Sequence, residues 1–332
     1  MKFYYDNKNI PIRNENTGDI MRKYKYLFGP VPSRRLGRSL GVDLIPYKTC
    51  SQDCVFCQLG RTTEKTNIRD EYVPIQEVYN EINEWLKKDG KADHVTLAGS
   101  GEPTLHSNFG DVIKYVKKKS SIQTVLLTNG SLLYLPEVRK AASQAHIVKV
   151  SVCAWDQHSF GWINRTHPLI DFNLMIEGQK VFRNEFKGEL WVEVFLVAGM
   201  NSMPSDVSKI SDWVEQLKPD RIHLNTAVRP PAEDFVKPLS RDQLASLCNL
   251  FHSPVEIIAS YKNKEDSEIS ANEEAIFSML TRRPCTAEDI AGAFGMHFNE
   301  VSKYLGNLLQ KKLIRSEHNG NLIYYIMTRN KN

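Results

Sequence analysis

Between residues 40 and 226 the chain alternates short apolar runs with segments whose apolar side chains recur every three to four positions. The runs at 41–45, 94–98, 124–127, 147–152, 190–197 and 221–225 have the length of buried strands. Between them, 74–88 carries Ile75, Val78, Tyr79, Ile82, Trp85 and Leu86 at helical spacing, with a proline at its start. Residues 108–119 form a second helix ending in Lys117, Lys118 and Lys119, which suits the negative end of its dipole. The segments 135–142, 171–186, 204–217 and 241–251 also read as helices, and 255–259 as one more short strand. Such alternation predicts right-handed βαβ units and a parallel sheet, an α/β fold. Six units from residue 40 to about 226 are too few to close an eight-stranded barrel. Residues 1–27 show no period and read as an N-terminal arm, followed by a Pro- and Gly-punctuated basic loop over 29–40.

The pattern changes near residue 260. A charged linker at 261–268 leads to helices at 272–280, 286–293 and 299–311. Thr286 caps the second, with Glu288 and Asp289 in its first turn; Val301, Tyr304, Leu305 and Leu308 share one face of the third. Strands at 313–317 and 322–327 flank His318-Asn319-Gly320-Asn321, a hairpin turn signal. Three helices and a hairpin resemble a winged helix-turn-helix. The domain reading is therefore an arm (1–27), a barrel-like body (28–260) and a small C-terminal module (268–330).

With 332 residues, 41% hydrophobic and 25% charged, the chain has ordinary globular composition. No apolar run approaches the roughly 20 residues that span a bilayer, and the N-terminus lacks an apolar signal core. A cytoplasmic location without membrane contact is expected. The net charge of +4 is mild, but residues 1–60 hold ten Lys and Arg against five Asp and Glu. Arg34, Arg35 and Arg38 cluster in that segment, spaced to grip phosphate or to anchor the arm.

The distinctive chemistry is Cys50-x3-Cys54-x2-Cys57, directly after the first strand. Three thiolates on one short loop can hold three irons of a [4Fe–4S] cube and leave the fourth open to a small molecule. A structural zinc site needs a fourth ligand, which His94 or His106 would have to supply. A disulfide framework fits poorly with an odd trio and an intracellular composition. Cys153, Cys248 and Cys285 stand alone and read as small apolar residues. Phe56, just before the last cysteine, is placed to pack against a flat base. Lys48, two residues before the first, either neutralises an anionic cluster or is solvated.

On these residues the chain resembles the radical S-adenosylmethionine (radical SAM) superfamily, whose signature is C-x3-C-x2-C with an aromatic before the third cysteine. The resemblance implies a partial (β/α)6 barrel, a [4Fe–4S] cluster on Cys50, Cys54 and Cys57, and S-adenosylmethionine chelated to the open iron. It further implies an external one-electron reductant and reductive cleavage of the cofactor to a 5′-deoxyadenosyl radical that abstracts hydrogen from a substrate. Gly99-Ser100-Gly101-Glu102, after the second strand, is a variant of the family's glycine- and glutamate-bearing turn that binds the cofactor's amino group. Asn129 and Ser151, at the ends of the third and fourth strands, and Arg165 complete the cofactor-binding residues so implied, alongside Phe56; no catalytic residue is assigned. Residues 192–201 resemble the region alongside adenine. Asn225 and Thr226 reach the sixth strand end, and His223 reads as an inner histidine.

The barrel most resembles the branch containing the wyosine-type tRNA-modifying synthases, over about residues 28–230. Those synthases carry a second cluster, whereas all six cysteines here lie at or after Cys50, so the branch guides fold and cofactor only. One reading is RNA modification, with the basic N-terminal segment and the winged helix gripping the backbone. A second has the enzyme act on a small molecule or a protein, with the module serving assembly. The module's third helix presents Asn299, Ser302, Lys303, Asn307 and Gln310, with no arginine before Arg315. A third reading is a non-enzymatic iron–sulfur redox sensor that regulates transcription; it leaves the barrel and the Gly99–Glu102 turn without a purpose.

Overall fold

The computed structural model describes residues 24–33, 35–88, 90–258, 272–320 and 322–328. The arm up to residue 23, Arg34 and the linker at 261–268 lie outside the described residues.

In chain order the elements are β1 (Leu27–Ser33), β2 (Gly37–Val42), the two-residue strands β3 (Thr49–Cys50) and β4 (Glu64–Lys65), and α1 (Ile75–Lys88). Then come β5 (His94–Leu97), α2 (Phe109–Lys119), β6 (Gln123–Leu127), α3 (Pro136–Ala142), β7 (Ile147–Ser151), α4 (Gln157–Ile163), α5 (Phe172–Glu185) and β8 (Glu189–Leu196). The body ends with α6 (Pro204–Gln216), β9 (Arg221–Thr226), α7 (Arg241–Cys248) and β10 (Val255–Ile257). Three helices follow, α8 (Glu273–Leu280), α9 (Ala287–Phe294) and α10 (Phe298–Gln310), and a hairpin of β11 (Ile314–Asn319) and β12 (Leu322–Met327).

The main sheet has eight strands in the order β1-β2-β5-β6-β7-β8-β9-β10. From β2 onward every pairing is parallel and follows chain order, the arrangement of a barrel wall that is not closed. Side chains of period two divide its faces. Leu40, Val42, Val95, Leu97, Val148, Val150, Val192, Val194 and Leu224 pack in one core with the helices. The alternate positions Ser39, Gly41, Thr96, Lys149, Glu193, Phe195 and Asn225 line a cavity of about 390 Å³. Helix α1 shows why the spacing works: Val78, Ile82 and Trp85 are buried on one stripe while Lys87 and Lys88 close its last turn.

Three readings change. The stretch read as a basic loop forms the β1–β2 hairpin, antiparallel, with a register shift between Phe28 and Val31 where Gly29 and Pro30 fall. An edge strand tolerates proline because its outer N–H groups need no partner, and the shift accommodates the interruption. The arm ends earlier than residue 27: Tyr24 and Tyr26 are buried in the main core. Helix α4 was not expected; Asp156 and Ser159 start it with a reciprocal capping box.

The C-terminal helices and hairpin enclose their own core, including Ile276, Leu280, Ile290, Val301, Leu305 and Leu308, against which Val31 of β1 also packs. They are clasped to the body by polar contacts. Ser278 Oγ accepts from Gly29 N at 3.2 Å, and Tyr324 Oη donates to Val228 O at 2.9 Å. Arg282 forms an ion pair with Asp43, just past β2, and also donates to Ser100 Oγ at 3.0 Å. Its guanidinium lies 4.4 Å from the centre of the Phe28 ring, and Phe28 in turn occupies the space that a Cβ at Gly41 would need.

Both members of the Arg282–Asp43 pair are buried, at 12% and 8% side-chain exposure. Removing one charge strands the other out of water. Asp43→Asn should cost about 3 kcal/mol of stability in urea unfolding, and adding Arg282→Met should recover most of that loss.

Candidate active site

The three cysteines sit on a loop built into the sheet end. Cys50 closes β3, which pairs with β4 through Thr49–Glu64 and Cys50–Lys65. Beyond it, Asp53 N donates to Asn164 O and Val55 N to Ile163 O, each at 3.0 Å, so the loop runs along the end of α4. Each sulfur has a nitrogen donor beside it: Asn129 Nδ2 at 3.7 Å from Cys50, Asn164 Nδ2 at 3.4 Å from Cys54, and Lys48 Nζ at 3.3 Å from Cys57. Lys48 is therefore a buried neighbour of the thiols, not a solvated side chain.

Burial, then the charge of Glu102, pushes the Cys50 thiol up to about 12. Burial, then the neighbouring Cys50 and Cys57, raises Cys54 well above the ordinary value. Thiols so disfavoured as free thiolates ionise when a metal supplies the opposing charge, and N–H donors aimed at ligand sulfurs stabilise that state. The donor set thus fits an iron–sulfur cluster. Among the described residues no three His, Cys, Asp or Glu side chains gather as for a single metal ion. The histidines considered for zinc are engaged elsewhere: His94 Nδ1 with Leu36 O at 2.8 Å, and His106 Nε2 with Val73 O at 3.0 Å.

The Gly99–Glu102 turn lies against the cysteine loop. Lys48 N donates to Ser100 O at 2.8 Å and Glu102 N to Thr49 O at 3.3 Å. A Cβ on Gly101 would fall 1.8 Å from Thr49 O, so only glycine permits this approach. Glu102 is buried and accepts four hydrogen bonds: from Thr104 N at 3.1 Å, Thr104 Oγ1 and Thr128 Oγ1 at 2.6 Å each, and Asn129 N at 2.7 Å. Burial raises its pKa despite these donors. Asn129 continues the chain of contacts to Ser51 Oγ at 2.9 Å.

The other expected residues divide. Phe56 stacks on Phe195 with ring centres 4.1 Å apart, and both line the cavity. Ser151 ends β7, half-buried, opposite Glu193 in the register. The Arg165 guanidinium pairs with Glu233, which also holds Arg61 at 2.9 Å, and lies 3.9 Å from Asp53 of the cysteine loop. Arg35 is not on the surface; it reaches into the cavity to Glu193, and Arg38 pairs with Asp93. His223 is buried, its pKa lowered to about 4 by burial and then by Arg35.

These features meet the matches to known proteins. The family model "Radical SAM superfamily" matches residues 44–204. The UPF0026 protein MJ1312 of Methanocaldococcus jannaschii is 30% identical over 92% of this chain and 98% of its own length. The chain belongs to the UPF0026 family, within the radical SAM superfamily. A protein named GTPase Obg from Brachyspira hyodysenteriae is 35% identical over 97% of this chain, which spans only about half (49%) of that relative's length. A probable dual-specificity RNA methyltransferase RlmN of Thermotoga sp. is 24% identical over 67% of this chain and 64% of its own. The radical SAM superfamily comprises enzymes that use a [4Fe–4S] cluster and S-adenosylmethionine and draw an electron from an external reductant. Among the described residues no helix is long and apolar enough to cross a membrane.

Some residues of this radical SAM lumen were passed over in the sequence, though a signal was there. Lys149 and Glu193 each stand at the centre of an apolar strand, where a charge needs a partner. They face each other at 2.5 Å on neighbouring strands, with Arg35 at 2.7 Å and Asn225 Nδ2 at 3.2 Å from the same carboxylate. Asn164, beside Cys54, carried no signal in the sequence: it caps α4, a helix the sequence did not suggest.

Lys149 and Arg35 hold the Glu193 carboxyl well below its ordinary value of 4.5 against the opposing effect of burial. A depressed folded pKa gives stability that is complete above the unfolded value and lost as pH falls through the folded one. Glu193→Gln should therefore lose about 3 kcal/mol or more near neutrality. It should also lose less further stability than the parent between pH 5 and pH 2, read by urea unfolding across that range.

Proposed function

We propose that Cys50, Cys54 and Cys57 hold the [4Fe–4S] cluster and that this chain cleaves S-adenosylmethionine reductively, directing the radical at a substrate in the barrel lumen. The carrying observation is that each of the three sulfurs has its own nitrogen donor on a loop bonded directly to the Gly99–Glu102 turn. When bound, cluster and cofactor supply one-electron cleavage and a carbon radical. The protein's residues do the rest. Lys48 offsets negative charge at Cys57, and Asn129 and Asn164 orient the other two thiolates. Gly99, Ser100 and Gly101 offer close backbone to the cofactor's methionine end, while Ser151 faces it from β7. The Phe56–Phe195 pair lies beside the lumen as an apolar wall for adenine. Glu102 and Arg165 act by holding the loops, because their charged groups already have protein partners.

The C-terminal helices and hairpin have the element order of a winged helix-turn-helix, and in our reading they cover the lumen. Met279, Arg282 and Arg283 line the same cavity as Cys57 and Phe56. This favours a small molecule over a polymer as substrate. RNA modification is supported by the RlmN relative and by the resemblance to tRNA-modifying synthases. It loses one of its proposed contacts, since Arg35 of the basic N-terminal segment is paired with Glu193.

Reconstituted with iron and sulfide under anaerobic conditions, reduced and given S-adenosylmethionine, the protein should form 5′-deoxyadenosine, and Cys54→Ala should form none. A reducible cluster that never cleaves the cofactor would sink the enzyme reading in favour of a sensor. Under the small-molecule reading bulk tRNA should bind only weakly; tight binding with a steep salt dependence, weakened by Lys303→Glu, would restore the RNA substrate.

A further inference from the structure

The cavity carries more positive charge than its own carboxylates balance. Arg35, Lys149, Arg229, Arg282 and Arg283 line it, and among the described residues Glu193 is the only carboxylate that does. Glu193 answers Arg35 and Lys149, and Asp43 answers Arg282. Arg229 and Arg283 remain. Arg229 follows β9 and is only 9% exposed. Its Nη1 reaches Gln58 Oε1 at a long 3.4 Å, and among the described residues its buried Nε has no hydrogen-bond partner. Among the described residues the Arg283 side chain, at the turn after α8, makes one hydrogen-bond contact, from Nη2 to Met279 Sδ at 3.3 Å. Among the described residues neither has a carboxylate within 4.0 Å. Burial, and then the charge of Arg283, lowers the pKa of Arg229. Asp289 acts on Arg229 only from beyond ion-pair distance, so two guanidinium groups are held close without a directly paired carboxylate, which is costly, and a guanidinium is the side chain best shaped to grip an oxyanion in two-pronged fashion.

We propose that Arg229 and Arg283 form an oxyanion-binding subsite in the lumen, and that the substrate is a small molecule bearing a phosphate or carboxylate group. The subsite is shared between the body and the C-terminal module: Arg229 comes from the end of β9 and Arg283 from the module. Tyr324, bonded to the carbonyl of Val228, fixes the backbone just before Arg229. The module is thus part of the substrate site and not a separate reader. The assignment rests on the lumen being the substrate site but does not need the cluster.

The test uses the full chain without cluster, titrated by calorimetry with inorganic phosphate and, separately, with malonate. Phosphate or malonate should bind, and Arg229→Gln and Arg283→Gln should each weaken that binding by about tenfold or more. Preference between the two anions tells a phosphate ester from a carboxylate. Without anion, Arg229→Gln should melt no lower than the parent, because it removes an unbalanced buried charge. Absence of binding by both anions at millimolar concentration would overturn the proposal, as would binding that both variants leave intact. A loss of melting temperature in Arg229→Gln, with anion binding unchanged in Arg283→Gln, would make the pair structural. If the variants instead lose S-adenosylmethionine binding and bind phosphate as the parent does, the arginines serve the cofactor and the proposal fails. Cys54→Ala should still bind phosphate, which separates this result from the fate of the cluster reading.

Discussion

The arrangement at the sheet end hangs on one buried carboxylate. Glu102 leaves the β5 end and is met by Thr104 from its own turn and by Thr128 and Asn129 from the β6 end. Asn129 then reaches Ser51 and lies beside Cys50. Three loops that the sheet only brings near one another become a single hydrogen-bonded unit. Hydrogen bonds to a charged acceptor are each worth about 1.5–3 kcal/mol, and most of that offsets the desolvation of Glu102. The net result is geometry more than stability: the thiols, the glycine turn and the β6 end cannot move independently. That is what an open iron and a chelating cofactor require, because a misplacement of about 1 Å between reacting groups is costly.

A second constraint governs the lumen. A barrel wall with apolar side chains outward must put its alternate positions inward, and here several of those are charged. Charges in such a space survive only in balanced sets. The Arg35–Glu193–Lys149 set is drawn from three strands or strand ends, so it staples β2, β7 and β8 across the lumen as well as keeping it polar. The same rule makes Arg229 and Arg283 stand out. The structure satisfies its other lumen charges internally, so a pair left over points outward to a ligand.

Much of the fold was legible because its signals were local. The strands at 94–98, 124–127, 147–152 and 190–197 and helices such as 204–217 appear where period and flanking prolines put them. The hairpin β1–β2 was obscured because Gly29, Pro30 and Pro32 read as a loop, and only an edge position with a register shift reconciles them with a strand. Within the site, the cysteine spacing and the glycine turn declared themselves by type and interval. Arg35 was misjudged for the opposite reason. A cluster of arginines in a basic segment gives no hint of which one turns inward, since that depends on a glutamate 158 residues away. Asn164 and Arg229 were equally hidden: their roles come from what folding brings beside them.

The contact between Arg282 and Ser100 ties these threads together. Ser100 belongs to the turn that packs on the cysteine loop, and it shares Asp43 with Arg282 from the C-terminal module. Any displacement of the module that draws Arg282 off Asp43 leaves a buried carboxylate uncompensated beside the Gly99–Glu102 turn. The module can lift away from the lumen only if water or a ligand replaces that charge. Docking of the module over the lumen and the shape of the Gly99–Glu102 turn are therefore thermodynamically linked, and by reciprocity whatever steadies Ser100 also steadies the docked module. The proposed radical chemistry would draw on that linkage, because coverage of the lumen by the module is tied to order in the glycine turn.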